Sequence, residues 1–257
     1  MSRAAASSSN PPTERSAFHV KHGPARGLVA RASQMGVALS ESHAGELVAI
    51  FDRLLLEPQN LTAIEDVADA VDRHLADSIA GLTCGELSGP TVADLGSGGG
   101  FPGLVVAVLR PDFVVTLVES ERRKAEWLVR ASVNLPNVRV VADRSESLAA
   151  RERELFDTVT ARAVAPLVST IELAAPLVAI GGHLVAWVSE AAATDRGAAE
   201  AAALVGFECP VVHAVQPFPD ARRVIVTLAK RDPTPPRFPR RAGRATSRPL
   251  VPAPSAA

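Results

Sequence analysis

The chain has 257 residues, of which 47% are hydrophobic, and a formal net charge of −1, enough apolar material for one large domain with a real core. Two cysteines, Cys84 and Cys209, make neither a disulfide framework nor a zinc knuckle; they fit a reducing compartment, and no metal site is expected. The longest apolar runs, such as Leu104 to Leu109, fall far short of the ~20 residues that span a bilayer. The opening MSRAAASSSNPPTERS lacks the apolar core of a secretory signal. A cytoplasmic protein with no membrane partner is expected.

Residues 1–25 are rich in Ala, Ser and Pro and read as a flexible segment, apart from the mixed patch Phe18-His19-Val20-Lys21-His22. Residues 26–85 read as a helical extension. Leu47, Phe51, Leu54 and Leu55 recur at three- and four-residue spacing, as do Val67, Val71, Leu75 and Ile79. Pro58-Gln59-Asn60 separates the two runs, and Thr62 with Glu65 three residues on matches a capping box.

After Gly89-Pro90 the rhythm changes. Short β-branched runs at 91–95, 114–118, 138–141, 158–160, 184–188 and 224–228 alternate with helical stretches at 121–134, 166–178 and 190–204. Strand–helix alternation means crossovers, and therefore a mostly parallel sheet buried on both faces. Residues 211–214 and 224–228 are separated only by Gln216-Pro217-Phe218-Pro219-Asp220, so they form a terminal antiparallel hairpin. The domain read this way covers residues 86–230 and has a Rossmann-like α/β architecture.

Residues 231–257 form a basic, Pro-rich tail. Seven basic side chains lie between Lys230 and Arg248 against one acid, Asp232, which leaves residues 1–229 with a net charge of −7. An acidic body with a basic tail points to a polyanionic partner reached by the tail. On that expectation, removing the tail weakens binding of the polyanion and leaves any ligand site in the acidic body nearly unchanged.

The segment DLGSGGGFPG, Asp94 to Gly103, lies where a ligand binds such a sheet, at the carboxyl end of the first strand. A dinucleotide fingerprint fits poorly. Its third glycine, counted from Gly96, falls on Phe101, and the formal match at Gly98–Gly103 starts late and contains Pro102. Asp94-x-Gly96-x-Gly98-x-Gly100 is instead similar to the turn of S-adenosylmethionine-dependent methyltransferases. Glu119 ends the second strand, placed to accept ribose hydroxyls. Ser145 and Glu146 follow the third strand, in a loop that can reach an adenine edge.

What is missing narrows the acceptor. The stretch after the fourth strand, Thr160 to Pro166, is not the Asn/Asp-Pro-Pro-aromatic loop of exocyclic-amine methylation. Neither cysteine is placed as the nucleophile that pyrimidine C5 chemistry needs. A ring nitrogen such as guanine N7 needs neither device, because its lone pair is already free. Arg162 then becomes the candidate catalytic residue, able to clamp a phosphate, a carboxylate or guanine O6.

Together, Asn60-Leu61-Thr62-Ala63-Ile64, His74-x-x-Asp77-Ser78, the glycine segment, Phe156-Asp157 with Ala161-Arg162-Ala163, and Phe238-Pro239-Arg240-Arg241-Ala242-Gly243 resemble ribosomal RNA small subunit methyltransferase G, also called glucose-inhibited division protein B. The resemblance spans roughly residues 16–250. It implies a class I S-adenosylmethionine-dependent fold and methylation of guanine N7 in a decoding-region loop of 16S rRNA, with the rRNA or the small subunit as partner; separately, a monomer is expected. It also implies cofactor contacts from Asp94, Gly96, Gly98, Phe101, Glu119, Ser145, Glu146 and Arg162, with His74, Asp77 and Ser78 on the substrate side. Leu55-Leu56 and Val188-Ser189 stand where the family usually has Trp-Asn and Lys-Gly. The missing lysine keeps an alternative open: a degenerate paralogue that binds cofactor and rRNA without efficient methylation.

Overall fold

The computed structural model describes residues 14–57, 67–85 and 87–251. The Asn60–Ile64 motif and the expected cap at Thr62 and Glu65 lie outside them. Helix α1 (Glu14–Gln34) begins inside the stretch read as flexible and breaks at Gly23, whose φ of 69° is non-helical. Helix α2 (Glu41–Leu55) starts at Ser40, whose side chain accepts from the His43 amide, the usual N-cap device. It buries Leu47, Phe51 and Leu54 of the expected stripe together with Ile50, while Leu55 is half-buried.

The next helical stretch has three conformations in succession. Helix α3 (Val67–Ala70) leads into a π-helical segment (Val71–Ala76), which passes into α4 (Asp77–Ala80) and a 3-10 turn (Gly81–Cys84). Gly85, at φ 72°, ends it in the left-handed conformation. Inserted π turns recur at functional positions, and this one carries His74. It is tied to α1 by a buried ion pair, Arg31 Nε to Asp72 Oδ1 at 2.9 Å.

Seven strands follow: β1 (Thr91–Leu95), β2 (Val114–Val118), β3 (Val138–Val141), β4 (Phe156–Arg162), β5 (Val178–Val188), β6 (Val211–Val215) and β7 (Arg223–Ala229). They form one sheet in the order β3-β2-β1-β4-β5-β7-β6. β1 to β5 pair in parallel, and β7 runs antiparallel to both β5 and β6. The expected hairpin is therefore present at one edge. The intervening helices are α5 (Gly103–Leu109), α6 (Arg122–Ala131), α7 (Ser145–Arg151), α8 (Leu167–Ala174), α9 (Glu190–Ala193) and α10 (Gly197–Leu204). A short α11 (Arg244–Ser247) lies in the C-terminal segment.

Each sheet face has its own core. One contains Leu47, Phe51, Leu75, Leu104, Leu117 and Trp127, joining the N-terminal helices to α5 and α6. The other contains Val159, Leu167, Ile171, Leu184, Val226 and Phe238. Phe238 belongs to the tail, and it is 2% exposed.

The tail is accordingly a strap rather than a free appendage. Arg153 donates to the carbonyls of Phe238 (2.7 Å) and Thr234 (2.6 Å). Lys230, wholly buried, donates to the Val205 carbonyl at 2.7 Å and to the Thr234 hydroxyl. Arg240 makes a bidentate pair with Glu172 of α8, which is 1% exposed. The sequence hides this packing because its anchors, Arg153 and Glu172, lie far upstream. Arg237, Arg241, Arg244 and Arg248 remain exposed, so the strap presents cations on its outer side.

Candidate active site

The reversal of strand order at β1 places the open ends of β1, β2, β3 and β4 around one crevice, where ligands of such sheets bind. A cavity of about 180 Å³ lies there, lined among others by Gly96, Ser120, Ser145, Glu146, Gly243 and Thr246. Gly96, Ser145 and Glu146 are thus brought together as the sequence predicts. Gly243, Ala245 and Thr246 were not foreseen as lining. The strap closes one side of the crevice, its Gly243 amide donating to Glu146 Oε1 at 3.0 Å and its Ala245 carbonyl accepting from Ser169 at 2.8 Å. Ser145 and Glu146 open helix α7 rather than sitting in a loop, so the Glu146 carboxylate also anchors the strap.

The glycine segment answers to two kinds of neighbour. At Gly100 an added Cβ would overlap Leu104, and at Gly103 it would overlap Leu117 and approach Asp94 Oδ2 at 2.8 Å. Gly98 is different. Its φ is +54°, and the only neighbour of an added Cβ is the Gly96 carbonyl oxygen at 3.7 Å. The turn there is open.

Glu119 lies beneath that turn, its Oε2 accepting from the Gly98 amide (3.0 Å) and its Oε1 from the Glu121 amide (2.7 Å). Each oxygen keeps a second lone pair able to accept a further hydrogen bond. Asp94 is 1% exposed. It accepts from Thr160 Oγ1 at 2.7 Å and from the Gly103 amide at 3.2 Å. It braces β1 against β4 and the start of α5 beneath the crevice. Burial pushes its carboxyl up to about 6. Phe101 turns away from this cavity into an aromatic cluster with His74 and Phe51, at centroid distances of 5.5 and 6.1 Å.

A second cavity, of about 370 Å³, lies beyond the end of β4, lined among others by Asp77, Arg162, Trp187, Val188 and Arg223. The loop after β4 separates it from the first: Val164 faces one cavity, Ala163 and Ala165 the other. Ala163 adopts φ 55°, an unusual conformation for a residue with a Cβ. Arg162 donates to Asp77 Oδ2 at 3.1 Å and approaches His74 Nδ1 at 2.9 Å and Ser78 Oγ at 3.4 Å. The four residues His74, Asp77, Ser78 and Arg162 therefore form one cluster, of which Asp77 and Arg162 line the second cavity. Arg223, whose Nε donates to Asp77 Oδ1 at 3.0 Å, joins them without having been singled out in the sequence.

Burial, with the Arg162 charge second, holds His74 down to about 4 from 6.5. Neutral His74 therefore contributes stability that is fully present above pH 6.5 and lost as the pH falls toward 4. Asp94 runs the opposite way, its contribution present below 3.8 and lost as the pH rises through about 6. The difference between wild type and His74→Gln isolates the histidine. Urea unfolding should show wild type losing up to about 3 kcal/mol relative to the variant between pH 7 and pH 4. Parallel pH profiles would mean that His74 titrates alike folded and unfolded.

Comparison with known proteins bears on this site. The family model for rRNA small subunit methyltransferase G matches residues 51–217. The protein of that name from Thermotoga neapolitana is 34% identical over 221 residues, covering 85% of this chain and 96% of its own length. The one from Chloroflexus aggregans is 36% identical over 230 residues (87% and 97%), and the one from Deinococcus radiodurans 38% over 226 residues (84% and 88%). Among solved structures, the chain is similar to a 16S rRNA (adenine(1408)-N(1))-methyltransferase from Catenulisporales acidiphilia, with a TM-score of 0.47 and 16% identity over 58% of this chain and 88% of that one. With its glycine turn, strand-end acid and His74–Arg162 cluster all in place, this chain belongs to the rRNA small subunit methyltransferase G family.

Proposed function

We propose that this protein transfers a methyl group from S-adenosylmethionine to N7 of a guanine in 16S rRNA. The observation that carries the reading is the pairing of two cavities across the loop after β4, one built by the glycine turn and the other by the arginine cluster. Family membership supplies the rRNA. S-adenosylmethionine supplies an electrophilic methyl group on a sulfonium.

The residues present fit that cofactor. Gly96 lines the space and Gly98 leaves its backbone open, Glu119 offers acceptor lone pairs for ribose hydroxyls, and Ser145, Glu146 and the strap surround the space beside α7. Guanine N7 carries a lone pair and no proton, so the protein has no proton to remove before attack. The second cavity is built accordingly. His74 Nδ1 lies against the Arg162 guanidinium, and its pKa is held near 4, so this cluster orients an acceptor rather than accepting a proton from it. Arg162, fixed by Asp77 on the substrate side, presents positive charge toward the acceptor, where positioning and electrostatics suffice.

The acidic body repels RNA at long range, and the exposed strap arginines oppose that repulsion. Replacing Arg237, Arg241, Arg244 and Arg248 by Ala should preserve the fold and lower the log–log salt slope of rRNA binding by about 0.7 for each phosphate that is no longer neutralised. Fluorescence anisotropy at several salt concentrations reads it, and an unchanged slope would remove the strap from the RNA surface. No helix among the described residues is long and apolar enough to cross a membrane. The enzyme acts as a monomer in this reading.

The function is tested by incubating the purified protein with small subunits that lack guanine methylation and with methyl-labelled S-adenosylmethionine. Nucleoside analysis should return label in N7-methylguanine. Label in an exocyclic-amine or ribose methyl product would refute the N7 chemistry. Bound cofactor with no transfer would favour a degenerate paralogue.

A further inference from the structure

The second cavity carries more positive charge than its carboxylate cancels. Asp77, 6% exposed, receives two guanidinium groups, Arg162 on Oδ2 and Arg223 on Oδ1. His74 beside them is neutral near pH 7. Two cations on one anion leave a net positive site facing the cavity.

The two arginines are not equivalent. Arg162 is deeply set, its side chain 16% exposed and engaged with His74, Asp77 and Ser78. The Arg223 side chain is 40% exposed. Its Nε is held by Asp77, its Nη1 by the Arg222 carbonyl at 3.1 Å, and the guanidinium lies 5.6 Å from the Phe218 ring centroid. Nη2 has no hydrogen-bond acceptor among the described residues. A guanidinium fork fixed along one edge and open along another is pre-organised to grip an oxygen.

We propose that Arg223 is a specificity-determining residue that binds the acceptor nucleotide through an oxygen, either guanine O6 or the nucleotide's phosphate. The proposal rests on the guanine-N7 reading and adds the group that recognises the acceptor. O6 and N7 share one edge of guanine, so a donor on O6 leaves N7 to be turned toward the loop after β4. Val188 and Val224 are cross-strand partners, and both line this cavity next to Arg223. The cavity therefore takes its cation from β7 where β5 offers only Val188, and a lysine at 188 would enter the same space.

The test combines Arg223→Ala, Arg223→Lys and the double variant Arg223→Ala/Val188→Lys. Methylation kinetics on small subunits are measured beside calorimetric S-adenosylmethionine affinity and thermal melting. Arg223→Ala should raise the subunit KM by about tenfold or more, the loss of one charge-assisted hydrogen bond, with cofactor affinity and melting close to wild type. Arg223→Lys should lie between, and Val188→Lys should restore much of the loss in the double variant. The salt slope of KM falls by roughly 0.7 if the partner is a phosphate and stays constant if it is O6. Subunit binding in the presence of S-adenosylhomocysteine is measured in parallel, because binding needs no transfer. If wild type proved inactive, the N7 reading would fail while this arm still decided Arg223. Wild-type KM and subunit binding in Arg223→Ala would overturn the proposal. So would a loss matched in melting and cofactor affinity and not rescued by Val188→Lys, since Arg223 would then serve only to brace Asp77.

Discussion

Removal of residues 231–257 should abolish S-adenosylmethionine binding and most of the fold's stability together. This reverses the expectation drawn from the tail's basic composition, which has truncation sparing the cofactor. Truncation strips Phe238 from the core, uncovers the Lys230 ammonium and leaves Glu172 buried without Arg240. It also removes Gly243, Ala245 and Thr246 from the wall of the first cavity. A milder break separates these effects. Arg240→Ala alone should cost roughly 3–5 kcal/mol, because it strands a carboxylate that is 1% exposed. Replacing both partners, Arg240→Met with Glu172→Leu, should recover much of that loss, since apolar groups of similar volume substitute well for a buried pair. Urea unfolding and calorimetric titration read the two quantities. A truncated protein that melts and binds cofactor like wild type would show that the strap contributes to neither.

Gly98→Val should eliminate measurable S-adenosylmethionine binding in a protein that still folds, whereas Gly100→Val should fail to fold. Both glycines have positive φ, +54° and +105°, but their surroundings differ. A side chain at Gly100 overlaps Leu104 inside the core. At Gly98 it extends into open space over the turn, and the left-handed conformation costs an L-residue about 1–2 kcal/mol, which a stable domain survives. That strain acts on the amide that Glu119 accepts, so both the turn and the strand-end acid lose their geometry. Circular dichroism separates folding from binding. Near-wild-type affinity in a folded Gly98→Val would place the cofactor elsewhere.

The sheet was legible because strand–helix alternation and the glycine turn are local signals. The runs at 91–95, 114–118 and 138–141 match β1, β2 and β3 residue for residue. The charged residues Asp157 and Arg162 hid the flanks of β4, and Gly181-Gly182 masked the first half of β5, which starts at Val178. Helix α7 went unread because its seven residues are too few for a helical period to stand out. Cavity-lining residues close in sequence to a motif were legible, as with Gly96, Ser145 and Glu146. Those contributed by distant segments were not: Arg223 reaches Asp77 across 146 positions, and Gly243 reaches Glu146 across 97. An acid such as Glu172 inside the apolar run of α8 is the one local sign of a distant basic partner.

The central claim is that this chain methylates guanine N7 in 16S rRNA, and direct mapping of N7-methylguanine in that rRNA tests it most closely. Ribosomes from cells lacking the gene should lose the modification at one position. Expression of wild type should restore it, and Gly98→Val should not. An unaltered N7-methylguanine map with and without the protein would contradict the account.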